Sequence, residues 1–320
     1  MAIGTYMLRL LIDTDTAGDD TTALMLALKS SNAKVEAITI NCGNVNFDQQ
    51  VENALYTVEV AGKSGKVPVY AGARFPLLKS WRTVEEVHGK DGMGNSYFPK
   101  PAQKPENKHA VDAIVELIND NPDEITVIEQ APMTNLALAL RKDPAIAKKV
   151  KQIFFMGGSN QYLGNVTPAA EFNFWVDPDA AKIVLHSGAK MTMVGWEICM
   201  KYGLLTREEI KKIQELHTKE SEFFMKVNRV ARAFMKRVTG QDVISCPDSI
   251  TVAMVLDPRI ATSIKAKYVD VENASELTRG ASIVDHLGIT GLKANVDVVY
   301  EASKEKFFEM LYRMLKGERY

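Results

Sequence analysis

An acidic turn constrains this chain more than any other feature of its sequence. In Leu10-Leu11-Ile12-Asp13-Thr14-Asp15-Thr16-Ala17-Gly18-Asp19-Asp20, four carboxylates fall within eight positions. An apolar, strand-like run (residues 8–12) precedes them, and a helical stretch with Ala, Leu and Met on its inner face (21–30) follows. Like charges this close repel, so a fold that gathers them needs a cation or several donors among them. Oxygen-only donors suit a hard ion, Ca2+ or Mg2+, rather than zinc. Helix capping accounts for Asp19 and Asp20, which stand where a helix N-terminus favours acids, but not for all four.

The same alternation of strand and helix continues downstream. Residues 35–40, 67–71, 125–128, 152–156 and 191–194 read as further strands. Residues 49–61, 110–119, 135–141 and 178–186 carry helical spacing. This order predicts an α/β fold, a single open domain over residues 1–320 with a central, mostly parallel sheet flanked by helices. Ligands in such sheets bind beyond the carboxyl ends of the strands, where the acidic turn lies. Residues 207–238 read as a long charged helical stretch with Phe223, Phe224, Val227, Val230 and Phe234 on an apolar stripe, either a helical lid or a hairpin packed on the core. A β-rich portion (264–271, 283–285, 295–299) and a closing helix (304–316) complete the chain.

Composition narrows the function. With 46% hydrophobic and 25% charged residues, a packed core is expected rather than disorder. A net charge of −1 with no basic stripe argues against nucleic acid or an anionic membrane as partner and favours a small substrate. Cys42, Cys199 and Cys246 are too few and scattered for a disulfide framework. Residues 1–11 read as a first strand, not a signal peptide, and no run approaches the ~20 apolar residues of a membrane helix. The expectation is a cytoplasmic enzyme.

Three metal-binding motifs compete for the acidic turn. Counted from Asp13, the fifth and twelfth positions are Ala17 and Leu24, which excludes an EF-hand. Asp13-Thr14-Asp15-Thr16-Ala17 nearly imitates the Asp-x-Asp-x-Thr of haloacid-dehalogenase-type phosphatases, but that motif leaves Asp19 and Asp20 unexplained. The third, Asp-x-Asp-x-x-x-Asp-Asp after the first strand, resembles the signature of the inosine–uridine-preferring nucleoside hydrolases. Further segments resemble that family in order: Gly43-Asn44 with Asn53, His88-Gly89-Lys90-Asp91-Gly92, Glu129-Gln130-Ala131-Pro132-Met133-Thr134-Asn135, and Met156-Gly157-Gly158. Gly164-Asn165, Ala170-Glu171-Phe172-Asn173, Asp177-Pro178, and Asp248 nine residues before Asp257-Pro258 follow.

The resemblance implies a calcium-dependent ribonucleoside hydrolase that cuts the N-glycosidic bond to free base and ribose. It implies Ca2+ held by Asp15, Asp20, the Gln130 backbone carbonyl and Asp248, with Asp13 bracing the cluster. Asp15 would be the general base, with Asn44 and His88 as further catalytic residues. Asp19, Asn165, Glu171, Asn173 and Asp248 would hold the ribose, and Phe172 and Trp196 would line the base side. It also implies a homodimer or homotetramer.

The sequence departs from the family at two points. Many members place a His before the last metal Asp, where this chain has Cys246-Pro247; a thiol is a poor acid catalyst near neutral pH, and Cys246 reads as a small buried hydrophobe. Trp196-Glu197 stands where pyrimidine-tolerant members have Leu-Asp. Stacking on Trp196 favours purine nucleosides (inosine, adenosine, guanosine). A pyrimidine or broad-specificity hydrolase is the alternative, and a metal-dependent phosphatase or a non-catalytic nucleoside- or calcium-binding protein the alternative class.

Overall fold

The computed structural model describes residues 7–161, 164–318 and 320. The strand expected within residues 1–11 is present from Leu8 onward, residues 1–6 lying outside the described residues. Eight strands form one sheet: β1 (Leu8–Thr14), β2 (Ala33–Ile40), β3 (Val69–Ala71), β4 (Ile125–Glu129), β5 (Gln152–Met156), β6 (Met191–Val194), β7 (Ala261–Lys267) and β8 (Val296–Ala302). Their order is β3-β2-β1-β4-β5-β6-β8-β7, parallel throughout except for β7, which runs antiparallel to β8 at the edge. The order reverses between β1 and β4, so the crevice beyond those two carboxyl ends is the topological switch point.

Both faces of the sheet are covered, which is why the inner strands read as continuous apolar runs. Side chains alternate across β1: Leu10 and Ile12 enter one core while Leu11 enters the other. The first core also takes the helices Gly18–Lys29, Phe47–Val60, Pro247–Leu256 and Lys304–Leu315; the second takes Ala110–Asp120, Thr134–Lys142 and Pro178–Leu185. Each fully buried Leu or Ile contributes ~1.5–3 kcal/mol, so the strand ends rest on a rigid support.

Two expectations need correction. Residues 207–238 are three helices, Arg207–Gln214, Lys219–Val227 and Arg229–Thr239. Local chemistry makes the breaks: His217 adopts φ +49°, Thr218 accepts from Ser221 in a capping box, and Asn228 ends one helix as it begins the next. Phe223, Phe224 and Val227 are core residues, so only the Arg229–Thr239 helix is placed to cover a site. The β-rich 264–271 is split into β7 and a short strand, Val269–Val271, that pairs with Ser282–Val284. Among the described residues no helix is long and apolar enough to cross a membrane.

Candidate active site

The acidic turn opens where β1 ends. Asp13 is still within the strand, in register with Thr39 of β2 and Glu129 of β4, and is fully buried. Its carboxylate accepts from Thr39 Oγ1 at 2.5 Å, Asn135 Nδ2 at 2.8 Å and Asn41 Nδ2 at 3.2 Å. Burial pushes its pKa up to about 6 against those hydrogen bonds. Asp13 therefore stays outside the pocket lining and joins β1 to β2 and to the first turn of the helix Thr134–Lys142. Asn135 also donates to the Ile40 carbonyl at 2.9 Å and accepts from the Ala73 N–H at 2.8 Å.

Asp15 and Asp20 stand above it. Asp15 Oδ2 accepts from the Asn44 N–H at 3.1 Å, while Oδ1 is buried without a hydrogen-bond partner. The Asn44 side chain spans the pair, donating to the Asp15 carbonyl and to Asp20 Oδ2, each at 3.2 Å. Asp20 Oδ1 accepts from Thr14 Oγ1 at 2.7 Å and Gln130 Nε2 at 3.2 Å, and Oδ2 from the Ala17 N–H at 3.3 Å. Asp19 turns the other way, toward the helix Pro247–Leu256 that carries Asp248. It accepts from the N–H groups of Asp248 at 2.7 Å and Ser249 at 3.1 Å, and from Ser249 Oγ at 2.6 Å.

These carboxylates are buried among one another. Burial first, and the Asp20 charge second, hold Asp15 and Asp248 well above the usual carboxylate range. Burial raises Asp20 to about 6 and Asp19 to about 7. A divalent cation would reverse each of these effects. The donors fit a hard ion: all are oxygens, and both Asp15 Oδ1 and Gln130 Oε1 are buried with no partner. Among the described residues no group of three or more His, Cys, Asp or Glu side chains is drawn together as a ready-made metal site. The match therefore lies in the chemistry and burial of the donors. Gln130 Oε1 is not among the oxygens that the family resemblance implied, which were carboxylates and the Gln130 backbone carbonyl.

The pocket over this floor has a volume of about 210 Å³. Every site residue expected from sequence lines it except Asp13. On one wall, Glu171 caps the short helix Phe172–Val176, accepting from the N–H groups of Asn173 at 2.9 Å and Phe174 at 3.3 Å, and from Gly158 N–H at 2.9 Å. Burial raises its pKa to about 7. Asn173 Nδ2 donates to the Met156 carbonyl at 3.0 Å, and Asn165 Oδ1 accepts from the Phe172 N–H at 2.8 Å. The turn after β5 is closed by the Trp196 N–H donating to the Gly158 carbonyl at 2.9 Å, which sets the half-buried indole on the pocket wall.

On the opposite wall, the His88 ring rests against Gly18, where a Cβ would lie 2.5 Å from Nδ1. Burial lowers its pKa to about 4, so near neutral pH it is an uncharged imidazole. Ser245 and Pro247 line the pocket, whereas Cys246 is fully buried and its thiol is held well above its ordinary pKa by burial. Sequence reasoning missed Ser249, Arg82, Glu86, Asn228, Ala231 and Met235. Ser249 carried a usable signal, because a Ser at the third position of a helix that opens on Pro can take part in its cap.

The pocket, part acidic and part aromatic, lies at the switch point of the doubly wound sheet, where α/β proteins bind small molecules. Residues 10–309 match the sequence profile of the inosine-uridine preferring nucleoside hydrolases, and the chain belongs to that family, glycosidases acting on N-glycosyl bonds. The pyrimidine-specific ribonucleoside hydrolase RihA of Salmonella schwarzengrund is 32% identical over 318 residues, 97% of this chain and 98% of that protein. A plant nucleoside hydrolase, PpNRh1, superposes with TM-score 0.90 at 31% identity, covering 97% of this chain and 99% of its own. The purine-preferring ribonucleoside hydrolase from Gardnerella vaginalis superposes with TM-score 0.88 at 30% identity, covering 97% and 98%.

Proposed function

We propose that this hydrolase cleaves purine ribonucleosides (inosine, adenosine and guanosine) to base and ribose with Ca2+ as its cofactor. The observation that carries the reading is that Asp15, Asp20 and Asp248 line one pocket, with Asp15 Oδ1 and Gln130 Oε1 buried and unpartnered. Asp15, Asp20, Asp248 and Gln130 would hold the ion. When bound, a divalent cation positions water and lowers its pKa.

The protein's own groups supply the rest. Asp15 accepts the proton of the attacking water at Oδ1, the oxygen that Asn44 leaves free. Glu171, Asn173, Asn165, Asp19 and Asp248 grip the ribose hydroxyls, with hydrogen bonds that tighten as the ring flattens toward the oxocarbenium-like state. Trp196, Phe172 and Phe234 form the aromatic part of the wall, and a purine gives them more face to stack on than a pyrimidine. The Arg229–Thr239 helix acts as the lid, moored by Arg229 to the carbonyls of Gly94 at 2.7 Å and Asn95 at 2.9 Å. The likeness to RihA favours the second reading, a pyrimidine nucleoside in the same site.

The test is ribose released from inosine, adenosine, guanosine, uridine and cytidine by the wild type and Asp15→Ala. Purine cleavage abolished by the substitution supports the proposal. Dominant uridine cleavage keeps the hydrolase and replaces the purine preference. Full activity after exhaustive chelation would remove the cation from the reading.

A further inference from the structure

Asp19 meets the helix Pro247–Leu256 across 229 residues of chain. That helix lacks a cap of its own: Cys246 makes no side-chain capping bond, and Pro247 has no N–H. The Asp19 carboxylate serves instead. Oδ2 takes the two backbone N–H groups, and Oδ1 takes the Ser249 hydroxyl at 2.6 Å. Both residues are buried, Ser249 fully, so water does not compete for these bonds.

We infer that Ser249 is a positioning residue of the cation site. Its hydroxyl is the one partner of Oδ1 in this clasp. It fixes the rotation of the Asp19 carboxylate and so joins the Asp13–Asp20 turn to the first turn of the Asp248 helix. Asp248 is then presented to Asp15 and Asp20 at a set distance, although the two segments share no strand pairing. A carboxylate offers about four acceptor directions, and three are filled from the helix. Asp19 therefore keeps about one for a ribose hydroxyl, and its larger duty is to hold the two halves of the site together. The inference rests on the reading of Asp15, Asp20 and Asp248 as the cation's ligands.

The experiment is calorimetric titration of the chelator-treated full chain with Ca2+ alone. It compares wild type, Ser249→Ala and Asp15→Ala, with thermal unfolding in chelator alongside. A hydrogen bond to a charged group carries roughly a tenfold effect or more, so Ser249→Ala should weaken Ca2+ binding at least about tenfold. Its melting temperature in chelator should also fall, because a buried bond to a charged group is lost, while the two backbone donors keep the helix capped and the chain folded. A role confined to stability would lower that temperature and leave the Ca2+ affinity alone, which overturns the inference. Should Ser249→Ala unfold in chelator, Ser249→Cys, which keeps the side chain's shape and changes no charge but donates only weakly, reads the same coupling. If Asp15→Ala loses Ca2+ while Ser249→Ala binds within about twofold of wild type, the ligand assignment stands and the positioning role fails. If Asp15→Ala binds as wild type does, the assignment itself fails.

Discussion

Gly43 offers a test of how finely Asp15 is placed. A Cβ at position 43 would lie 1.9 Å from Asp15 Oδ2, 2.6 Å from Cγ and 2.7 Å from its Cβ. Moving the oxygen out to 3.0 Å, the nearest approach that real Cβ atoms make, demands about 1.1 Å of displacement. Asp15 cannot give that up by turning into water, because it is buried and its Oδ2 accepts from the Asn44 N–H at 3.1 Å. Gly43→Ala therefore moves the proposed base off its water and breaks that bond. A misplacement of about 1 Å costs on the order of 10²-fold in rate, and this is the expected fall in kcat/KM for the preferred nucleoside. Ribose release measured at saturating and sub-saturating substrate, with circular dichroism to confirm the fold, checks it. Activity within about threefold of wild type in a folded Gly43→Ala protein would refute the assignment of Asp15 as a base held in place by this contact.

Three further outcomes follow from the structure. Asn135→Ala removes donors to Asp13 and to the Ile40 carbonyl and an acceptor for Ala73. Deleting a buried bond to a charged group costs ~1.5–3 kcal/mol, so urea unfolding should show at least that loss, and a change under about 0.5 kcal/mol would contradict the bracing role of Asp13. Burial lowers the His88 pKa to about 4 from its ordinary 6.5, so the unfolded chain binds more protons between those values. Its contribution to stability is present above pH 6.5 and lost as pH falls toward 4; His88→Asn should flatten the acid limb of a melting-temperature profile over that window, and an unchanged limb would count against a neutral buried ring. Finally, Arg229→Ala frees the Arg229–Thr239 helix from Gly94 and Asn95. Hydrogen exchange of residues 88–95 should quicken and KM should rise several-fold, while equal exchange in both proteins would separate the helix from that loop.

The sheet was largely readable from sequence because its inner strands are short apolar runs separated by helical stretches of ordinary period. The helix Pro247–Leu256 was not. Every residue from Asp248 to Leu256 is buried, so its sequence carries no amphipathic stripe to betray a helix, and its Thr and Val content mimics a strand. Residues 207–238 failed in the opposite sense. Their helical spacing continues across two breaks set by local capping at Thr218 and Asn228, and a period search averages over such caps. The edge strand β7 carries a largely exposed face, and where its apolar run ends depends on a pairing partner some thirty residues away, which local pattern does not reveal.

The site was legible for a different reason: its residues are too expensive to keep buried without a purpose. Asp13, Asp15, Asp19 and Asp20 could be singled out because a turn of four acids has no cheap folded state. The structure divides that cost. Asp13 is answered by Thr39, Asn41 and Asn135 from below, and Asp20 by Thr14 and Gln130 from the side. Asp19 is answered by the N-terminus of a helix drawn in from the far end of the chain. These partners are scattered uncharged residues and backbone donors, which no spacing in the sequence distinguishes from ordinary polar positions. Asp15 Oδ1 is left unanswered, as are Oε1 of Gln130, which lines the same pocket, and Glu129 Oε2. The Asn44 donors go instead to Asp15 Oδ2, the Asp15 carbonyl and Asp20 Oδ2. An acceptor left open on the pocket lining is where a cation or a water entering from the pocket would find its place.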